Sequence, residues 1–402
     1  MKKILYLIAT DNYFCSHRFN LGKASLKAGY EVALATACTP QTQHKNDIEN
    51  AGIAVFPLQH FSRAGLNPIR QFRSLLELYR IYKKYKPDIV HQVAMKPVVF
   101  GSLIAYLCRV PKVINAVAGL GFLFTEKHPS EDNPKSIKKT ILLKLLAPLF
   151  RIIFSRNNTA LILQNEDDLN TLADSGFLKR SSYNFNNNTF IIRGAGIDPD
   201  AFQALGFATP PPIVIACVSR MLWSKGIGEL INAAKIIKNY NINMDIDKTS
   251  TPKIKMQAVQ ILLYGMPDPE NPASISSKQL QAWHDSGIII WKKYCNNTAK
   301  AYADCHIAVL PSYREGLPKS LLEAACAGRP IVTTDVPGCR EIVKDGENGI
   351  LVPAKDCKAL SDALLTLILN EDLRKQMGEA GRARVLKYFQ DSCVIEQTLS
   401  LY

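Results

Sequence analysis

Residues 313–338 read Tyr-Arg-Glu-Gly-Leu-Pro-Lys-Ser-Leu-Leu-Glu-Ala-Ala-Cys-Ala-Gly-Arg-Pro-Ile-Val-Thr-Thr-Asp-Val-Pro-Gly, and the fold follows from them. Just upstream, Ile307–Leu310 is a short apolar run that reads as a buried strand, ended by Pro311 and Ser312. A loop with Gly316 and Pro318 comes next. A helix begins near Ser320, Gly328 closes it, and Ile331–Thr334 is the following strand. A strand–loop–helix–strand unit of this kind builds a parallel sheet, with its loop at the carboxyl end of a strand, where such sheets bind ligands.

The loop also carries chemistry. Backbone N–H groups at the start of the Ser320 helix favour a phosphate. Gly316 lets the main chain approach a ligand closely, and Lys319 adds positive charge. Seven residues separate Glu315 from Glu323. One precedes the helix and the other lies in its first turns, so both can face one ligand and accept hydrogen bonds from sugar or ribose hydroxyls. The plain alternative is an acid favoured by the helix dipole and a solvated helix glutamate. On spacing alone both readings stand.

Glu315 and Glu323 match the E-x7-E signature of the family 4 retaining glycosyltransferases. The wording Pro-Ser-Tyr-Arg-Glu-Gly-Leu-Pro-Lys-Ser-Leu-Leu-Glu-Ala over 311–324 resembles the branch that extends undecaprenyl-diphosphate-linked sugars, the N-acetylgalactosaminyltransferase-like members among them. The resemblance runs over nearly the whole chain. It implies the α/β GT-B fold, two Rossmann-like domains facing across a cleft. An N-terminal acceptor-binding domain would cover 1–196, a C-terminal nucleotide-sugar-binding domain 197–389, and residues 390–402 would cross back to the first.

Length and composition agree with that expectation. A chain of 402 residues exceeds one ordinary core and divides into two domains of roughly 200 residues each. Its 47% hydrophobic and 21% charged content exclude a disordered chain. The ten cysteines are scattered with no CxxC pair, which fits reduced thiols rather than a disulfide framework. The net charge of +14 calls for an anionic partner: nucleic acid, an anionic membrane surface or a diphosphate substrate. No zinc-finger spacing, RNA-binding signature or basic tail supports nucleic acid. The opening Met-Lys-Lys-Ile-Leu-Tyr-Leu-Ile-Ala-Thr turns polar at Asp11 without a small-residue cleavage site, so it reads as a first buried strand.

In the first half, Lys3–Thr10 is strand one, 11–16 a loop, 17–28 a helix closed by Gly29, and 31–36 strand two. The stretch Phe14-Cys-Ser-His-Arg18 resembles the Phe-x-Ser-His-Arg opening of the lipid-linked-sugar branch. His17 and Arg18 thus stand at a strand's carboxyl end, where an acceptor would dock, against the alternative of a helix-start histidine and an exposed arginine. Many family members carry a sugar-contacting histidine near the place that Gly119-Leu120-Gly121 occupies here, which leaves His17 and His91 for that role. Lys96 and the two glycines complete the expected acceptor side.

The segment 136–156 is basic and apolar without an acid: Lys138, Lys139, Lys144, Arg151 and Arg156 alternate with runs such as Ile141-Leu142-Leu143. Its apolar runs are far shorter than the ~20 residues of a membrane span, and Pro148 would break one long helix. It reads as a monotopic helix pair on an anionic bilayer, or else as a buried helix with solvated lysines.

In the second half, residues 212–218 form an apolar strand followed by Ser219-Arg220-Met221-Leu222-Trp223-Ser224-Lys225-Gly226. Arg220 and Lys225 match the pair that holds the donor diphosphate in the family; as an isolated pair they are ordinary surface bases. Lys293 follows the strand over 287–291, where the nucleobase usually sits. Asp245-Ile246-Asp247 has the DxD form that binds a divalent metal, but it lies in a polar connector and reads as chance.

The resemblance implies a metal-independent, cofactor-free retaining transfer of a hexose or N-acetylhexosamine from a UDP-sugar. The acceptor would be a polyprenyl-diphosphate-linked sugar at the cytoplasmic face of the inner membrane, in surface polysaccharide or glycan assembly. Glu315, Arg220 and Lys225 would carry the catalysis. Glu323, Gly316, Leu317, Pro318, Ser320 and Lys293 would bind the donor. Two rivals remain at this level: a hydrolysing nucleotide-sugar epimerase of the same fold, and a non-catalytic basic module for membrane or nucleic acid.

Overall fold

A computed structural model of the protein describes residues 1–40, 42–61, 67–120, 135–178, 188–202, 206, 212–246, 259–295 and 297–402, with only the backbone path of 135–142, 145 and 240–246. The chain folds as two units: Met1–Ala195 with Asp391–Tyr402, and Gly196–Gln390.

The first unit runs β1 (Lys3–Thr10), α1 (Asp11–His17), α2 (Phe19–Lys27), β2 (Glu31–Ala37), α3 (His44–Asn50), β3 (Ala54–Pro57), α4 (Pro68–Tyr85) and β4 (Ile89–Val93). It continues with α5 (Met95–Leu107), β5 (Lys112–Val117), α6 (Lys135–Phe154), β6 (Thr159–Leu163), α7 (Glu166–Asp174) and β7 (Thr189–Ile191). Its seven strands are all parallel, in the order β3-β2-β1-β4-β5-β6-β7. Helices cover both faces, so the central strands β4, β5 and β6 are buried along nearly their whole length rather than alternating. Along β1, Ile4, Tyr6 and Ile8 enter the core beneath α1, α2 and α3, while Leu5 and Leu7 enter the opposite core beneath α4 and α5.

The second unit runs β8 (Ile213–Val218), α8 (Ile227–Ile246), β9 (Val259–Tyr264), α9 (Ser277–Asp285), β10 (Ile290–Lys293), α10 (Thr298–Ala303), β11 (Ile307–Leu310) and α11 (Lys319–Cys326). After these come β12 (Ile331–Thr334), α12 (Cys339–Ile342), β13 (Gly349–Val352), α13 (Cys357–Leu369) and α14 (Glu371–Tyr388). Its six parallel strands are ordered β10-β9-β8-β11-β12-β13. A last helix, α15 (Asp391–Leu399), belongs to the first unit and packs beside α2. Strand order reverses at β1/β4 in one sheet and at β8/β11 in the other, the switch points outside which such sheets open a crevice for ligands.

Two local expectations are overturned. Residues 11–17 are the helix α1 rather than a loop, because Thr10 has extended backbone and its hydroxyl accepts from Tyr13 N at 3.4 Å, an N-cap with Asp11 in the first turn. Arg18, at φ −132°, ends α1 before Phe19 starts α2. Pro148 does not break its segment into a helix pair: Lys135–Phe154 is one helix with the proline inside it. Pro148 and Lys144, whose carbonyl loses the proline's missing N–H, are both exposed, so water can satisfy the orphan carbonyl. The opposite side of α6 buries Ala147, Phe150, Ile153 and Phe154, with the Phe150 ring stacked on Phe177 at 4.7 Å. Packing holds the helix across its defect.

Candidate active site

Three loops meet outside the β8/β11 switch point, all within the second unit. Residues 219–226 follow β8, 265–276 follow β9 and 311–318 follow β11. Backbone bonds zip the first two together: Met221 N to Met266 O at 3.1 Å, Trp223 N to Ala273 O at 2.9 Å, and Ile275 N to Met221 O at 2.9 Å. Tyr313 N donates to Ser224 O at 3.0 Å and brings in the third. Gly226 (φ +70°) lies so close to this loop that a β-carbon there would strike the Pro311 carbonyl.

This backbone frame places four charged side chains. Arg220 Nη1 donates to Asp268 Oδ2 at 2.8 Å. Asp268 is buried and its own N–H donates to Ser274 Oγ at 2.9 Å. Lys225, in a short 3-10 turn at Trp223–Lys225, donates to Glu315 Oε1 in a close ion pair. Ser312 Oγ donates to the same oxygen at 2.6 Å. Ser312 is in turn held by the Thr334 hydroxyl, which donates to its carbonyl. Strand β12 thereby buttresses the acid that precedes α11.

α11 starts at Lys319, with Pro318 at the N-cap and no side-chain cap bond. The cap offers no side-chain acceptor to the first-turn amides, which suits an anion. Leu317 and Pro318 are buried and fix the approach of the chain to the helix. Ser320 is hydrogen-bonded to the buried Tyr302 phenol, so its hydroxyl serves the core. Glu323, one turn into α11, is buried, with Lys319 Nζ 3.6 Å away. Burial pushes its carboxyl above the usual glutamate range, against the opposing pull of Lys319. The second unit therefore brings together Arg220, Lys225, Glu315, Gly316, Glu323 and the helix start. Lys225 and two acids stand at one helix N-terminus at a switch point, with Arg220 in the adjoining loop, an arrangement that suits an anhydride phosphate joined to a polyhydroxyl group.

Lys293 stands apart. It ends the edge strand β10, two strands from β8, and its ammonium lies over its own neighbour Trp291 at 5.8 Å from the ring centre. Asp268 was not assigned by sequence, although its signal was present: an acid in a proline-rich loop at a strand's carboxyl end, as Arg220 is. Ser312 gave no such signal, because its role comes from the partner strand. The Asp245 side chain and Asp247 lie outside what is described; among the described residues no group of three His, Cys, Asp or Glu could hold a metal. All ten cysteines are free, and burial pushes the thiols of Cys217, Cys305 and Cys339 up to about 12, which makes them inert.

The residues singled out in the first unit scatter. His17 ends α1, stacked on Tyr13 at 4.2 Å, with Ser16 Oγ 2.7 Å from its Nδ1. Arg18 is not an exposed arginine: it is buried and donates from Nη1 to Gly194 O at 3.0 Å. His91 is a core residue with no exposed surface, its Nδ1 2.6 Å from the Tyr402 hydroxyl. Burial, and then the nearby Arg18 charge, hold its imidazole well below the ordinary histidine range. Enclosed in this way, His91 presents nothing to a sugar. Lys96, in the first turn of α5, lies over the Phe61 and Phe100 rings at 5.1 and 5.5 Å. Gly119 (φ +97°) follows β5, and Gly121 falls outside the described residues. On α6, Lys144 is exposed and Arg151 donates to the Gly176 carbonyl; the Lys138 and Lys139 side chains are not described.

Comparison with known proteins carries the reading further. The model of the family "Glycosyl transferases group 1" matches residues 199–384, and that of "Glycosyl transferase 4-like" matches residues 3–162. The chain is 25% identical over 376 residues to the N,N'-diacetylbacillosaminyl-diphospho-undecaprenol alpha-1,3-N-acetylgalactosaminyltransferase of Campylobacter jejuni, covering 90% of this chain and 89% of the relative. It is 25% identical to the UDP-Gal:alpha-D-GlcNAc-diphosphoundecaprenol alpha-1,3-galactosyltransferase of Escherichia coli, over 83% and 80% of the two chains. Among solved structures, HepE of Anabaena in complex with UDP-glucose superposes with a TM-score of 0.71 at 16% identity over the whole of both chains. Sucrose-phosphate synthase of Thermosynechococcus elongatus gives 0.72 at 17% identity, over 100% and 98%. These two bear on the fold alone. With a GT-B architecture, an E-x7-E pair at the β11–α11 loop and two family models that between them span most of its length, the chain belongs to the family 4 glycosyltransferases.

Proposed function

We propose that the protein transfers a hexose or N-acetylhexosamine from a UDP-sugar, with retention of configuration and without a metal, to a polyprenyl-diphosphate-linked sugar in bacterial surface polysaccharide or glycan assembly. It would act as a peripheral protein at the cytoplasmic face of the inner membrane. One observation supports the reading above the others: Lys225 of the loop after β8 pairs with Glu315 of the loop before α11 across the β8/β11 switch point, with Arg220 in the same β8 loop and Glu323 buried in α11. The two relatives named for undecaprenyl-diphosphate-linked substrates support the acceptor class.

In this reading Arg220, Lys225 and the α11 amides receive the donor diphosphate and supply the positive charge that a divalent ion would otherwise bring. Glu323 accepts from the ribose and Glu315 from a sugar hydroxyl, while the backbone at Gly316–Pro318 steadies the β-phosphate and sugar. The bond from the anomeric carbon to the phosphate oxygen breaks, and the acceptor oxygen bonds to that carbon on the same face. The acceptor proton passes to the departing phosphate. UDP and the elongated lipid-linked sugar leave.

The test is UDP release from a panel of UDP-sugars, with and without isolated bacterial lipid-linked sugar, in the presence of a chelator. Release that needs both the lipid and one particular sugar is the expected result. Release without lipid would assign the protein to the hydrolysing epimerases or hydrolases. Neither binding nor turnover of any UDP-sugar by a folded sample would overturn the donor.

A further inference from the structure

The exposed large apolar side chains are concentrated in one place. Among the described residues there are sixteen, and nine lie on three adjacent helices of the first unit. α4, α5 and α6 each lead to the next strand in the same direction across the sheet, so right-handed crossovers put all three on one face, and α5 packs beside both others. α4 buries Ser74, Leu78, Tyr82 and Tyr85 inward. Its opposite side presents Ile69, Phe72, Leu76 and Tyr79 at helical spacing, Ile69 at 67% and Phe72 at 62% exposure. Leu103, Tyr106 and Leu107 of α5 and Leu149 and Ile152 of α6 continue this apolar surface, Ile152 at 61%. Nine exposed large apolar side chains gathered on one face of one sheet mark an interaction site.

Charge identifies the occupant. The three helices carry eleven Lys and Arg against one acid, Glu77, a surplus of ten within a chain of net +14. Glu77 is itself turned to the loop before α4, where its carboxylate accepts from Gln59 N at 2.8 Å and His60 N at 3.2 Å. The cations are interleaved with the rings: Arg156, just beyond α6, lies 4.4 Å from the Tyr106 centroid and Lys83 lies 5.7 Å from that of Tyr79. Two copies meeting through this face would set like charges against each other, exposed Arg73, Arg80, Lys83, Lys84 and Lys144 among them, which disfavours a symmetric dimer. Exposed Ile, Leu and Phe do not suit a phosphodiester backbone. Apolar side chains interleaved with cations suit the headgroup boundary of an anionic bilayer, where basic residues near the surface are drawn to the lipid charge.

We infer that the outer face of α4, α5 and α6 together docks the protein on an anionic lipid bilayer. The docking surface is therefore three helices wide, centred as much on α4 as on the basic segment 136–156. The inference deepens the membrane partner of the proposed function and rests on that reading.

The experiment is co-sedimentation of the full chain with vesicles of phosphatidylcholine containing 30% phosphatidylglycerol, and with pure phosphatidylcholine, with no sugar donor or acceptor present. Failure here would leave the UDP-release assay free to uphold the transferase reading. Binding to the anionic vesicles only, weakened by salt, is expected. Ile69→Ser/Phe72→Ser and Tyr106→Ser/Ile152→Ser should each weaken it at least tenfold with an unchanged thermal midpoint, and Arg73→Gln/Arg80→Gln/Lys83→Gln should do so without touching the apolar stripe. Three outcomes would overturn the inference: no binding by the wild-type chain, undiminished binding by these folded variants, or variants that alter only oligomeric state in lipid-free solution.

Discussion

At the scale of single residues, the site holds its cations in ion pairs: Arg220 with Asp268 and Lys225 with Glu315. Asp268 is buried while the Arg220 side chain is half exposed, so the acid anchors the guanidinium rather than the reverse. Asp268→Asn keeps the shape and removes the charge, and should raise the KM for the UDP-sugar several-fold with a smaller change in kcat. Arg220→Ala removes a donor to the developing phosphate charge and should lower kcat/KM by about 10²–10³. Steady-state UDP release separates the two. Glu323 gives a pH prediction with a definite sign. Its folded carboxyl titrates above the ordinary range because it is buried, so the folded state holds that proton more tightly than the unfolded state. Its contribution to stability is present at low pH and is lost as pH rises from the ordinary glutamate range through the raised one. Glu323→Gln should flatten that part of the thermal midpoint against pH, measured without ligand. The four charged residues of this site were legible from spacing and family wording, since each stands in a short motif next to a strand end. Asp268 stood in a readable position but its pairing with Arg220 was not legible, and Ser312 gave no signal: what they do depends on which loops the sheet order brings together.

At the scale of elements, apolar runs and turn residues located β1, β11 and β12 from sequence at the bounds observed. The misreadings have local causes. Thr10 closes a strand and caps a helix at once, so no loop separates β1 from α1. Pro148 is a helix breaker by propensity, yet α6 continues through it because Phe150 and its neighbours are held by the core. This has two consequences for thermal unfolding. Phe150→Ala removes a ring that is stacked and fully buried, and should cost about 3–5 kcal/mol. Pro148→Ala restores an N–H to the ladder at an exposed position. Regaining the bond and relieving the ring's clash with the Lys144 carbonyl are together worth about 3 kcal/mol, and the unfolded chain gains back about 1 kcal/mol of freedom, so a net stabilisation of about 2 kcal/mol should follow. A lowered midpoint in Pro148→Ala would show that the proline is needed to shape the helix.

At the scale of the whole molecule, the last twelve residues complete the first unit rather than the second. Val394 and Leu401 join the core beneath α2, and the Tyr402 hydroxyl lies 2.9 Å from that of Tyr6 and 2.6 Å from His91 Nδ1. Tyr6 in turn reaches Ser25 Oγ at 2.9 Å, so two buried side chains, Tyr6 and His91, bond directly to one terminal hydroxyl. His91 Nε2 is buried with no hydrogen-bond partner among the described residues, which favours the neutral ring that burial already imposes. A histidine depressed in this way contributes stability above its unfolded value of 6.5, and that contribution is lost as pH falls below it. Tyr402→Phe strands the partners of one hydroxyl and should cost about 1–3 kcal/mol. A multidomain chain need not unfold in one step. Calorimetry should therefore show the cost, and the acid-side loss of stability, in the transition of the first unit, while the transition of the second unit stays in place. His91→Gln should remove the slope below pH 6.5 from that same transition. A variant that moves both transitions equally would mean that the two units unfold as one.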